Sequence, residues 1–223
     1  MEMKNKNVFI EKSAKTLESI FDVLAKLPDV RLKDLQAGQT ALVMIDMING
    51  FVREGALKNP RAESLIPEIV RLSKACDELK IAKLAFADNH TKASPEFDDF
   101  PAHCLTGTSE SEIVDELREP GGYALIPKNS TNGFLEEAFQ QWLKENEHIN
   151  TFIITGVCTD ICVQQFAITL KTWFNMLNKK VRIIVPINAV ETYDLDFHNG
   201  DLINVMALYN MMTSGIEVVQ RLK

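Results

Sequence analysis

The 223-residue sequence has no long apolar run, and none of its runs reaches the roughly 18 residues that a membrane-spanning helix needs. Its N-terminal segment, residues 1–15, has no apolar core of the signal-peptide type and no small-residue cleavage site. These absences favour a cytoplasmic protein with no membrane partner.

Basic residues are also scarce. The chain has 24 Lys and Arg against 31 Asp and Glu, a formal net charge of −7. It shows neither a Lys/Arg stripe nor a basic patch with interleaved aromatic residues, which are typical of proteins that follow a phosphate backbone. We therefore expect no nucleic-acid partner.

Cysteine and histidine are few, which limits the side chains available for chemistry. The cysteines are Cys76, Cys104, Cys158 and Cys162, and the histidines are His90, His103, His148 and His198. In a reducing cytosol disulfides are rare, and the three residues between the last two cysteines match no CxxC redox or zinc motif. Each thiol could be a buried apolar group, a metal ligand or a nucleophile.

What the sequence does contain is ordinary globular composition, 46% hydrophobic and 25% charged, at a length that fits one sizeable α/β domain. Near the N-terminus, apolar residues with helical spacing predict a helix that Pro28 ends. They are Leu17, Ile20, Phe21, Leu24 and Leu27. We predict an N-terminal helical extension, residues 1–39, and a main domain, residues 40–223.

The main domain alternates short apolar runs with amphipathic segments. The runs, at 41–46, 80–88, 123–128, 151–157, 181–186 and 216–220, predict buried strands; the segments, at 62–78, 134–146, 160–178 and 200–213, predict helices. This alternation is typical of a mostly parallel sheet covered on both faces. We predict a three-layer α/β/α fold with a central mostly parallel sheet, plus the N-terminal accessory helix.

Polar or reactive residues follow several predicted strands: Asp46, Asp88, Lys128 and the segment from Cys158 to Cys162. The carboxyl ends of parallel strands meet at one edge, where such folds place their ligands. The long segment 89–122 predicts a functional loop over that edge.

Cys162 would lie in the first turn of a helix that Thr159 or Asp160 could cap, where the helix dipole favours a thiolate. Asp46 could accept its proton, and Lys128 could hold both groups in place. The alternatives are a small buried apolar thiol for Cys162, a turn or capping residue for Asp46 and a solvated charge for Lys128.

A second group combines carboxylates and imidazoles: Asp88, His90, Glu96 and His103. Such ligands suit zinc, iron, manganese or cobalt. The alternative is a loose set of polar surface residues.

Three segments carry a family resemblance. ALVMIDMINGF (41–51), IPKNSTNGF (126–134) and TGVCTDICV (155–163) resemble, in order, the catalytic segments of the isochorismatase-like cysteine hydrolases. The resemblance implies Asp46 as base, Lys128 as its partner and Cys162 as nucleophile. It also implies a cis peptide between Val157 and Cys158, which would aim the backbone N–H groups of Cys158 and Cys162 into an oxyanion hole.

The stretch from DNH through SPEF to FPAHCLTGTSESEIVDEL resembles the metal-binding loop of nicotinamidases within that family. The resemblance implies one divalent metal ion, zinc or else iron or manganese, with Asp88, His90, Glu96 and His103 as ligands. The metal would hold the pyridine nitrogen of nicotinamide and place its carboxamide over Cys162. Phe51 and Phe100 match the positions that sandwich the ring, although both could simply pack in the core.

The expected activity is therefore metal-dependent hydrolysis of nicotinamide to nicotinate and ammonia through a cysteine thioester, in NAD salvage. Alternatives are hydrolysis of another small amide, of N-carbamoyl or maleamate type, or a non-catalytic protein that retains the fold. The expected partner is the small amide, with a homo-oligomer also possible. We expect His148 and His198 to be surface or capping residues.

Overall fold

The computed structural model describes residues 5–223, and within them seven strands form one sheet. The strands are β1 Thr40–Ile45, β2 Ala82–Asp88, β3 Ala124–Lys128, β4 Thr151–Val157, β5 Arg182–Pro186, β6 Val190–Glu191 and β7 Glu217–Val219. Their order is β3-β2-β1-β4-β5-β7, and β6 pairs with the end of β4. All these pairings are parallel.

Helices cover both faces of the sheet, so the predicted three-layer fold is confirmed. They are α1 Lys6–Ala25, α2 Asn49–Val52, α3 Pro60–Glu63, α4 Ile66–Leu79, α5 Asp115–Arg118, α6 Glu137–Glu145, α7 Gln164–Met176 and α8 Gly200–Thr213. Side chains of α1, α6, α7 and α8 pack on one face, and those of α3, α4 and α5 on the other. No helix in the described range is both long and apolar enough to cross a bilayer.

The central strand shows why apolar runs become buried strands here. All of β1 is buried; Ala41, Val43 and Ile45 face one core, and Leu42 and Met44 face the other. A strand covered on both faces needs apolar residues at every position, which produces a continuous run rather than an alternating pattern.

The predicted elements differ from the observed ones mainly at their boundaries. The predicted helix 62–78 is two helices, α3 and α4, and the predicted helix 160–178 begins with a π-turn, Thr159–Val163. Strand β6 was not predicted, because two residues carry no readable pattern. Segment 89–122 contains only short turns and α5, and it runs over the carboxyl edge of the sheet.

The predicted N-terminal helix is present as α1, and Ile20 and Leu24 join the core. The predicted apolar stripe is wrong at Phe21, which is 60% exposed. Beyond α1, the chain pairs with the C-terminal segment through the Val30–Leu222 bridge. Residues 1–4 of the extension lie outside the described residues, and the boundary after residue 39 stays a prediction.

Candidate active site

Four reactive side chains meet at the carboxyl edge of the sheet. Asp46 follows β1, Asp88 and Lys128 end β2 and β3, and Cys162 lies in the π-turn after β4. One ligand atom from each of Asp46, Asp88 and Cys162 lies within 4.8 Å of the others. The parallel topology brings these distant positions together, as the spacing of the sequence predicts.

Lys128 occupies the centre of this group, and its side chain is fully buried. Its Nζ lies 2.9 Å from Asp46 Oδ2 and forms an ion pair with Asp88 Oδ1. The same Nζ is 3.6 Å from Cys162 Sγ and donates to the Ser130 carbonyl at 3.2 Å. One ammonium therefore links both carboxylates to the thiol.

The buried charges shift one another strongly. Burial alone would lower the pKa of Lys128, but Asp46 and Asp88 raise it well above its ordinary value. Burial would likewise raise the pKa of Asp88, yet the positive charge of Lys128, assisted by the nearby His103 and His90, holds it well below its usual range. Lys128 therefore stays charged beside an ionised Asp88.

Asp46 behaves differently from Asp88. Complete burial, followed by the charge of Asp88, raises the pKa of Asp46 to about 7, although Lys128 opposes the shift. Near neutral pH this carboxyl exchanges protons readily, which is the property expected of a general acid–base group. Its carboxylate is held in place, because Asp88 N donates to Asp46 Oδ1 at 3.1 Å.

The surroundings of Cys162 oppose the thiolate form that a helix start would favour. Burial raises the pKa of the Cys162 thiol well above its ordinary value, despite the opposing effect of Lys128. The expected capping is wrong: Thr159 Oγ1 is buried without a hydrogen-bond partner, and Asp160 bonds elsewhere. Loss of solvent outweighs a helix terminus here, so Cys162 rests as a neutral thiol.

The turn that carries Cys162 has a special backbone. The Val157–Cys158 peptide bond is cis, as the family resemblance implies. Gly156 precedes it with φ +110°, and a Cβ at this position would collide with the Ile45 carbonyl. Only glycine fits where β4 passes so close to β1.

The imidazole and carboxylate group lies beside the cluster around Lys128. Ligand atoms of Asp88, His90 and His103 lie within 4.8 Å of one another. Glu96 lies beside this triad, its Oε2 3.6 Å from His90 Nε2, while its Oε1 accepts from Thr131 N at 2.8 Å.

The donor atoms of this group fit a divalent metal. His90 Nε2 is buried with no hydrogen-bond partner, which is costly unless something binds it. The other ring nitrogen of His103, Nδ1, donates to the Pro101 carbonyl at 2.8 Å, which leaves Nε2 free to coordinate. Imidazole and carboxylate donors are those that zinc and iron prefer.

Both groups open into one cavity of about 440 Å³. Phe51 and Phe100 line it, with ring centroids 5.8 Å and 6.4 Å from that of His103. Cys158 and Cys162 lie on its wall, and among the described lining residues Lys58 is the one lysine or arginine. The cavity therefore joins aromatic walls to a thiol and a potential metal centre.

Several lining residues were missed from the sequence, including Thr131, Tyr193 and Leu195. The expectation that His198 is a surface or capping residue is wrong, because its ring is largely buried and bonded to Asp160. No local pattern marks these residues, since the chain brings them to the cavity from separate loops.

Comparison with known proteins agrees with this geometry. The isochorismatase domain family matches residues 40–217. Nicotinamidase 1 of Arabidopsis thaliana is 29% identical over 241 aligned residues, covering 92% of this chain and 97% of the plant protein.

Solved structures share the fold. The nicotinamidase of Bacillus subtilis superposes with a TM-score of 0.67 at 26% identity, covering 81% of this chain and 99% of that chain. The N-carbamoylsarcosine amidase of Thermoplasma acidophilum superposes with a TM-score of 0.66, also at 26% identity, covering 82% of this chain and 96% of that chain. Both similarities span nearly the whole of the related chain.

Proposed function

The chain belongs to the isochorismatase family, and on that premise we propose that it is a cysteine amidohydrolase that converts nicotinamide to nicotinate and ammonia. One observation carries the proposal. A buried lysine joins two carboxylates to a thiol, in the same cavity as an imidazole–carboxylate cluster with an unpartnered nitrogen. Similarity to nicotinamidases supports the choice of substrate.

The first step follows from the ionisation of the cluster. Because Cys162 rests as a thiol and the pKa of Asp46 is about 7, the carboxylate of Asp46 takes the thiol proton when substrate is in place. Lys128, 3.6 Å from Sγ, stabilises the thiolate that forms, and the sulfur then attacks the amide carbon.

Collapse of the tetrahedral intermediate requires a proton on the leaving nitrogen. Asp46 returns the proton that it took, ammonia leaves, and the acyl group remains on Cys162 as a thioester. The backbone N–H groups of Cys158 and Cys162 are assigned to the oxyanion. Water then attacks the thioester with Asp46 again as base, which releases nicotinate and the free thiol.

We assign a divalent metal, zinc or else iron or manganese, to Asp88, His90 and His103, with Glu96 as a fourth ligand. When bound, it supplies a Lewis-acid site for the pyridine nitrogen, a neutral donor similar to imidazole. Phe51 and Phe100 contribute flat apolar walls for the ring. With the ring nitrogen at the metal site and the ring between the two phenylalanines, the carboxamide would face Cys162.

The charges of the cavity favour a neutral amide. Carboxylates of Glu96, Asp99 and Asp194 line it, against the one cation of Lys58 among the described lining residues. A second candidate function is hydrolysis of an acidic small amide of N-carbamoyl or maleamate type. The observation that favours it is Lys58, which could pair with a substrate carboxylate, together with the likeness to N-carbamoylsarcosine amidase.

The substrate assignment is tested by ammonia release from nicotinamide, maleamate and an N-carbamoyl amino acid. We expect strong turnover of nicotinamide and little of the acidic amides. In Lys58→Met the KM for nicotinamide should stay unchanged. Strong turnover of an acidic amide that Lys58→Met impairs, with none of nicotinamide, would favour the second candidate.

The pH dependence of kcat/KM should report Asp46. Because only its carboxylate form accepts a proton, kcat/KM should fall about tenfold for each pH unit below a pKa of about 7. Steady-state assays with a parallel check of folding measure this profile. A flat profile down to two units below that value would exclude Asp46 as the base.

Removal of the metal should abolish most of the activity, and adding metal back should restore it. Dialysis against a chelator should lower kcat/KM at least about tenfold, and added zinc, iron or manganese should restore it. His90→Ala should lose the metal measured by elemental analysis, whereas His148→Ala, on an exposed residue far along the chain, should keep it. Full activity of metal-free protein would contradict the assignment.

The reaction would return the pyridine ring for NAD salvage. We place it in the cytoplasm, because all four cysteines are free thiols, which suits a reducing compartment.

A further inference from the structure

One wall of the cavity comes from a segment that the proposed chemistry does not use. This wall segment, residues 192–199, contributes Tyr193, Asp194 and Leu195 to the lining. It closes on itself, because the backbones of Leu195 and His198 exchange hydrogen bonds of 3.1 Å and 2.7 Å. The wall segment is therefore a compact turn with one side against the substrate cavity.

His198 is bonded through both nitrogens of its ring. Nε2 lies 2.9 Å from Asp160 Oδ2, and Nδ1 lies 2.9 Å from the Tyr193 carbonyl oxygen. The imidazole therefore bridges the Asp160 carboxylate and the backbone of its own segment.

The same ring supports Tyr193. The two rings are stacked, with centroids 3.8 Å apart and planes only 7° from parallel. Two flat rings stacked at this distance attract each other. Because Tyr193 lines the cavity, the position of His198 determines where this part of the wall lies.

Asp160 connects the wall segment to the nucleophile. It lies midway between Cys158 and Cys162 in the π-turn, and its Oδ1 accepts from Thr192 Oγ1 at 2.6 Å. Its two oxygens thus hold both ends of the wall segment, at Thr192 and at His198. The distance between Tyr193 and the reacting thiol is set through this carboxylate.

The wall segment also has an attachment that does not involve His198. Arg61 donates to Asp194 Oδ2 at 2.9 Å and also pairs with Glu191 and Asp201, while Gly200 N donates to Asp194 Oδ1 at 2.6 Å. Loss of the His198 side chain should therefore release Tyr193 without detaching the segment. The effect should be local rather than global.

We propose that His198 is a positioning residue for substrate fit: it holds the Tyr193 ring as a wall of the cavity and couples that wall, through Asp160, to the turn of Cys162. The inference rests on the proposed amidase function. In this inference Tyr193 contacts the pyridine ring of the bound substrate. His198 influences substrate affinity through its hold on Tyr193.

Kinetics of nicotinamide hydrolysis test the proposal. In His198→Gln the side chain stays polar but cannot stack on Tyr193 or bridge Asp160 and the Tyr193 carbonyl. Its KM for nicotinamide should rise about tenfold, with kcat within about threefold. Tyr193→Phe keeps the ring and should change KM little, whereas Tyr193→Ala should raise KM as His198→Gln does. His148→Gln is the matched control on an exposed histidine.

A double variant separates positioning from general destabilisation. If His198 acts through Tyr193, adding His198→Gln to Tyr193→Ala should raise KM no further. The proposal would be overturned if the double variant raised KM by the product of the two single effects. An unchanged KM in His198→Gln, or a loss in kcat alone, would overturn it as well.

A measurement without substrate keeps the proposal testable if nicotinamide is not turned over, an outcome that would count against the proposed function alone. Iodoacetamide alkylation of Cys158 and Cys162, followed by mass spectrometry, reports access to the cavity. We expect several-fold faster alkylation in His198→Gln and Tyr193→Ala and the wild-type rate in Tyr193→Phe. Equal rates in all four proteins, with unchanged melting temperatures, would overturn it.

Discussion

Replacing Cys162 by alanine is expected to lower kcat/KM for the amide by at least about 10³-fold, because the acyl intermediate of the proposed route forms on its sulfur. Asp46 and Lys128 would remain, but they have no nucleophile to activate. The substitution removes one buried sulfur next to the cavity, so the fold should persist. Ammonia release and the melting temperature, measured on the same preparation, separate the two effects.

Cys76→Ala is the matched control for this prediction. Cys76 is also a buried free thiol, but it lies on α4, on the face of the sheet that packs against α3 and α5. Its replacement should cost some stability and leave kcat/KM unchanged. Substantial activity in Cys162→Ala would exclude the thioester route, whatever the substrate.

Replacing Lys128 by methionine should impair both activity and folding. The variant leaves Asp46 and Asp88 buried, at 0% and 3% side-chain exposure, without their shared cation. Removing one partner of a buried ion pair typically costs about 3–5 kcal/mol of unfolding free energy. Activity should fall as well, because the thiol loses the positive charge 3.6 Å from its sulfur.

Lys83→Met provides the comparison, since Lys83 is another buried lysine outside the site. Its partner Asp77 is 46% exposed and can be rehydrated, so the loss of stability should be clearly smaller. Urea unfolding measures both variants. A smaller loss for Lys128→Met than for Lys83→Met would mean that the buried carboxylates do not depend on Lys128.

The pH dependence of stability gives Lys128→Met a further signature. Without the cation, burial raises the pKa of both carboxyls above their unfolded values, so the folded state binds protons more tightly than the unfolded one. The destabilisation should therefore be greatest above the raised folded pKa values, which for Asp46 means above about 7, and shrink as the pH falls towards the unfolded pKa of about 4. A loss of stability that grows on acidification would contradict this account.

Much of the fold could be predicted from the sequence because each element is a local pattern. Continuous apolar runs become parallel strands when both faces of the sheet are covered, as β1 shows. The positions of Asp46, Asp88 and Lys128 follow from the same rule, since strand ends in a parallel sheet share an edge. Strand β6 and the break between α3 and α4 were too short to leave such a pattern.

The cavity wall was harder to predict. Tyr193 and His198 lie beside Asp160 through contacts that span more than 30 positions in the sequence. No periodicity links residues so far apart, and an isolated histidine in a polar loop looks like a surface residue. Their partnership depends on how the loops after β4 and β6 fold back on the sheet edge.

By itself, the sequence determined which groups are available and at which edge they gather, because strand and helix patterns are local and parallel topology follows from their alternation. Only the tertiary structure decided the protonation of those groups. Burial and the distances to Lys128 set the pKa of Asp46 near 7, keep Asp88 ionised and leave Cys162 as a thiol. Desolvation and Coulomb interactions depend on all neighbours in space, and the order of residues along the chain does not contain those distances.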